Sequence, residues 1–184
     1  MMLVTIDMLI QNKGVIVRFI VLVISLLSAN IAYAVCNSPV TEQGLLHSIG
    51  SVPANHKTSK ENGTVKHTYH FRKGGSAEDA FADDNAAWEP DFNIEIINPT
   101  CISKVNVVFY VDDVEAKISS SNIKLAGNAY SYLAGADVAI FHNQLNKLKD
   151  VQWFKPSTDR VDMYFWRNKG KPELYTIGFT YKGV

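Results

Sequence analysis

The chain has no surplus of either charge: 18 Lys+Arg stand against 18 Asp+Glu in 184 residues. A neutral chain has no long-range field with which to collect polyanions, which argues against nucleic acid as its partner. There are two cysteines, too few for a cysteine-built zinc site or for a disulfide-dense mini-protein. G-x-S-x-G, a phosphate loop, H-E-x-x-H and the dinucleotide glycine fingerprint are all missing, so no motif points to hydrolytic, nucleotide or zinc-peptidase chemistry. Repeats, heptad runs and low-complexity linkers are missing too. With 47% hydrophobic and 11% aromatic residues, what remains is an ordinary globular composition.

The beginning of the chain reads as an address. Lys13 and Arg18 precede an apolar run over 19–27, and Ala32-Tyr33-Ala34 supplies the small-x-small pattern that a signal peptidase admits. The expectation is a signal peptide over 1–34, cleavage after Ala34, and a mature domain over 35–184 in the bacterial periplasm or outside the cell. Arg18, Ser25, Ser28 and Asn30 interrupt the stretch that an anchor helix would need, so no stable membrane insertion is expected. Val35 stands before Cys36 where a lipoprotein box resembles Gly, Ala or Ser, which argues against lipidation. In an oxidising compartment Cys36 and Cys101 have a single intramolecular pairing open to them.

Patterning of the mature chain predicts an α+β domain. A helix capped by Thr41 is expected over 40–49 and a polar surface loop over 51–64. Val65, His67, Tyr69 and Phe71 alternate with polar residues as in a half-buried strand. Ser76 and Asp79 form a capping box for a helix over 77–88. Two alternating runs, 92–96 and 105–111, predict a hairpin, and a second pair, 161–167 and 173–181, predicts another. Asp137 caps a helix reaching 149. Over 115–135 the pattern is divided: Tyr130 and Tyr132 would share a face in a strand, Gly127 and Gly135 disfavour one continuous helix, and a helix is expected over 123–134. The sum is an antiparallel sheet of about five strands packed against two or three helices.

Chemistry is sparser. His67 and His70 point to opposite faces of their strand, and zinc needs three or four convergent ligands, so no metal, cofactor or catalytic residue is assigned. Ser121 and Lys124 match S-x-x-K, a spacing that resembles the nucleophile motif of penicillin-binding enzymes, but no K-T-G follows and Ser121 reads as a helix N-cap. Seven acids and no Lys or Arg lie between Ser76 and Glu95, Asp83 and Asp84 among them; without the glycine and terminal glutamate of a calcium loop this is a solvated face or a surface for a basic partner. From Lys147 onward there are eight Lys+Arg and four acids. Arg167, Lys169 and Lys171 fall at the tip of the last predicted hairpin, beside Tyr164 and Trp166, a composition found in binding surfaces. The expected function is that of an exported, non-catalytic binding protein acting on another protein of the cell envelope, as inhibitors and immunity proteins do. Two other classes compete with it: a module holding a glycan or small ligand against Tyr164 and Trp166, and a hydrolase assembled from dispersed residues such as His67 and Asp137.

Overall fold

The computed structural model describes residues 36–72, 91–113 and 116–184. In chain order the elements are α1 (Glu42–Ile49), β1 (Asn55–Glu61), β2 (Thr64–His70), β3 (Phe92–Ile97), β4 (Lys104–Val111), α2 (Ala116–Ala134), α3 (Val138–Asp150), β5 (Trp153–Phe154), β6 (Val161–Asn168) and β7 (Glu173–Tyr181). All strand pairings are antiparallel, in the order β1-β2-β3-β4-β7-β6-β5. The α+β architecture expected from the patterning is present, with seven strands and three helices among the described residues. The expected signal peptide, the helix over 77–88 and the pair Asp83 and Asp84 lie outside the described residues.

The period of two explains how the sheet obtains a core side. On β3, β4, β6 and β7 the residues of one parity are buried except at strand ends, where Val111, Arg167 and Glu173 are half-buried, and the register lines those residues up in rows across the sheet. One row is Ile96, Val105, Phe179, Met163; the next is Ile94, Val107, Ile177, Phe165; the third is Phe92, Phe109, Tyr175 and, at its end, Arg167. The helices cover this side. Tyr130 of α2 lies at their junction with the sheet, its ring 5.5 Å from Phe141 of α3, 6.0 Å from Phe165 and 6.1 Å from Phe179.

Three local expectations are corrected. The stretch 51–64, read as a loop, contains β1; all seven of its residues are exposed, so no apolar alternation marks it. Asn62 and Gly63, at φ 48° and 80°, make the tight turn that pairs it with β2. Second, α2 runs unbroken from 116 to 134 because Gly127 serves contact instead of interruption: a Cβ there would lie 3.2 Å from both Phe141 and Val138, so the missing side chain lets α3 approach. Third, Ser121 lies inside α2 and is no cap; its hydroxyl accepts a hydrogen bond from Arg72 Nη2 at 3.0 Å. The caps read from sequence hold elsewhere: Thr41 Oγ1 accepts from Gly44 N at 3.1 Å, and Asp137 accepts from Ala139 N at 2.7 Å.

Cys36 and Cys101 form the expected disulfide, with Cα atoms 5.4 Å apart. It fastens the segment before α1 to the β3–β4 connection. At one border of the sheet stands β1, with its outer edge unpaired among the described residues; at the other, β5 is two residues long.

Candidate functional site

The side of the sheet opposite the helices carries the residues of the other parity, and among the described residues no helix packs on it. Apart from the buried Gly178, residues there are half-buried or exposed and largely polar, Lys66, Glu95, Lys104, Asn106, Thr176 and Thr180 among them. Tyr164 and Trp166 of β6 both point to this side. The pairing of β5 with β6 sets Trp153 opposite Trp166, and Trp153 is 56% exposed. Lys155 Nζ lies 5.8 Å from the Trp153 ring centre and 6.0 Å from that of Tyr164, at the outer range for cation–π attraction.

Beside this cluster a groove of about 650 Å³ runs between the 155–157 segment and strands β6, β7 and β4. Gly178 lies in its floor, between Asn106 on β4 and Tyr164 on β6. The acids around it are already engaged. Asn106 Nδ2 donates to Glu95 Oε2 at 2.9 Å and Lys66 Nζ to Glu95 Oε1 at 3.0 Å. Burial alone would raise the Glu95 carboxyl; these hydrogen bonds and the charges of Lys66 and Lys104 outweigh it and hold the group below the usual carboxylate range. Asp162 accepts from Ser157 Oγ at 2.5 Å and meets Lys182 Nζ at 3.0 Å, and the Ser157 bond, with Lys182, lowers its pKa as well. Lys104 and Lys155 have no ion pair of their own among the described residues.

The other sequence-derived candidates are dispersed. Arg167 shares its parity with Val161, Met163 and Phe165 and so lies on the helix side. Its Nη2 and Nε bond to the two oxygens of Glu173, and Nη1 donates to Leu148 O at 3.1 Å. Lys169 and Lys171 stand exposed on the β6–β7 turn. Tyr164 and Trp166 are therefore brought together, while Arg167 is separated from them by the sheet.

The Arg167 pair yields a pH prediction. Burial raises the Glu173 carboxyl, but hydrogen bonds from Arg167 and Tyr175 and the charge of Arg167 bring it below its ordinary 4.5. A carboxyl lowered by folding stabilises the protein above its unfolded pKa, and that contribution disappears as pH falls through the folded one. The stability difference between wild type and Glu173→Gln should stay constant above about pH 5.5 and shrink below about pH 4, measured by urea unfolding at a series of pH values. A difference that grows towards acid would contradict this assignment.

The dispersed-hydrolase set does not converge on a nucleophile. His67 Nδ1 is 2.7 Å from Glu42 Oε1, which also accepts from Tyr69 OH at 2.8 Å; His56 stacks on Tyr69 at 4.4 Å. His70 Nδ1 is 2.9 Å from Asp91 Oδ2, and Asp137 caps α3. Neither His67 nor His70 shares a hydrogen bond with a Ser, Thr or Cys side chain among the described residues. Nor does any group of three His, Cys, Asp or Glu residues there lie in position to hold a metal ion.

Sequence reasoning missed Asn106 and Gly178, which reach the groove only through the β4–β7–β6 register. The alternation of β4 and β7 places each on the outward parity, but their convergence needed the strand order. No family model, no curated protein and no solved structure matches the chain.

Proposed function

We propose that this chain is an exported, non-catalytic binding protein whose ligand lies on the open side of the sheet against Trp153, Tyr164 and Trp166. The observation that carries this reading is the Lys155 cluster: two aromatic rings and a cation are held at the mouth of a groove, and none of the three is needed by the core. A disulfide supports export, because such bonds persist outside the reducing cytosol. The arrangement favours a glycan or small-ligand module over the inhibitor-type reading, since Arg167, one of the charges on which that reading relied, is engaged by Glu173. The inhibitor reading keeps one specific observation, the gathering of Lys149, Lys169 and Lys171 around a cleft at the β6–β7 turn.

Trp153→Ala and Tyr164→Ala separate the two. Trp153 is exposed enough that its removal should change unfolding stability by about 0.5 kcal/mol or less. If the open side is the working surface, both substitutions should abolish the change in tryptophan fluorescence seen on titration with a saccharide and peptide panel, while Lys169→Glu with Lys171→Glu should leave it intact. The opposite pattern would move the working surface to the turn.

A further inference from the structure

We infer that the groove above Gly178 is a binding site for a carboxylate-bearing pyranose, that is, an acidic saccharide. The inference rests on the open-side reading just given and names the ligand class of that site.

One glycine on the open side of the sheet is not required by its backbone conformation. Gly178 lies inside β7 between two outward threonines, a position where glycine weakens a strand and frequently marks the close approach of a ligand. Its backbone is not in the left-handed region, and a Cβ there would meet Asn106 Oδ1 at 3.4 Å and Tyr164 Cβ at 3.7 Å, both ordinary contacts. An alanine methyl is therefore sterically admissible. What glycine provides is a pit with Asn106 on one side and Tyr164 on the other.

The chemistry of the walls selects the occupant. Asn106 has its amide nitrogen engaged by Glu95, which leaves Oδ1, the atom nearest the missing Cβ, as an acceptor facing the pit. Thr180 adds a hydroxyl and Tyr164 an aromatic flank. Lys104 and Lys155 supply two cations from opposite sides, while the neighbouring carboxylates of Glu95 and Asp162 are neutralised by Lys66 and Lys182. An aromatic flank, hydroxyl-sized hydrogen-bonding partners and uncompensated positive charge suit a ring with an apolar C–H face, several hydroxyls and an anionic substituent. An extended acidic peptide fits less well, because the pit lies in mid-sheet, where the backbone groups it would pair with are occupied by neighbouring strands. The groove's volume falls in the range of roughly 300–1,000 Å³ usual for small-molecule sites.

The test titrates the purified protein calorimetrically with oligomers of galacturonate, glucuronate and mannuronate, with their methyl-esterified neutral counterparts, and with tetraglutamate. At least one acidic oligosaccharide should bind, at least 10-fold more tightly than its neutral counterpart and than tetraglutamate. Gly178→Leu should weaken that binding at least 10-fold with an unchanged or raised unfolding midpoint; Gly178→Ala, the smaller change, serves if the leucine variant does not fold. Lys104→Gln with Lys155→Gln should erase the preference for the acid. Equal affinity for the neutral oligomer, or full affinity in the Gly178 variants, overturns the inference. If tetraglutamate alone binds and Tyr164→Ala abolishes it, the saccharide assignment falls and the open-side reading stands. Binding of an acidic saccharide that survives both Trp153→Ala and Tyr164→Ala removes both.

Discussion

Replacing Cys36 and Cys101 together by serine should lower the free energy of unfolding by about 4 kcal/mol, the chain-entropy value for a crosslink closing a loop of this length. The two cysteines are 65 positions apart, so the bridge removes a large set of open conformations from the unfolded chain. In the folded state it anchors the segment leading into α1, a helix whose other ties include the hydrogen bond that Glu42 accepts from Tyr69 OH and its contact with His67 Nδ1. For a domain of this size the loss corresponds to a fall in melting temperature of roughly 8–16 °C. Reduction of the wild-type protein should reproduce the effect. A double-serine variant within about 1 kcal/mol of wild type in urea unfolding would mean that the segment before α1 is already confined in the unfolded ensemble.

Truncating Tyr130 to alanine should be about as damaging, at roughly 3–5 kcal/mol, the range for a buried aromatic replaced by alanine. Tyr130 is 2% exposed and its ring packs against both α3 and the sheet, so the cavity would open where α2, α3, β6 and β7 meet and could not collapse without moving a helix. Tyr130→Phe is the control. Burial raises the phenol pKa, and the hydroxyl makes no hydrogen bond among the described residues, so its removal should change stability by less than about 1 kcal/mol. A large loss in the phenylalanine variant would show that the hydroxyl, and not the packing of the ring, holds the junction.

What the sequence disclosed follows from where each element finds its partners. The five alternating strands and the capped helices α1 and α3 were readable because one side of each is apolar and their caps are local. The length of α2 was not, since its buried side is built largely from small or polar residues, Ser119, Asn122, Ala126, Gly127 and Ala129, which carry little hydrophobic signal at a period of 3.6. β1 was hidden for a different reason: it is held by backbone pairing and buries no side of its own. At the candidate site, Tyr164 and Trp166 could be picked out as aromatics on a strand. Asn106 and Gly178 are 72 positions apart and adjacent only through the register of β4 with β7. Arg167 could have been read correctly from its parity with Val161, Met163 and Phe165; its closeness to a turn concealed that it faces inward.

The unequal borders of the sheet have a consequence for how the molecule behaves in a crowd. At the β5 end, two paired residues offer almost no template for another strand. At the β1 end, a seven-residue strand without proline presents, at alternate residues, main-chain groups unpaired among the described residues, the arrangement by which sheets add strands. Lys57 and Lys60 project from that edge, one towards each side of the sheet, so an added strand would bring its own side chains against a charge on either side. Two charged side chains that contribute nothing to the core thus stand at the border where an added strand would have to dock.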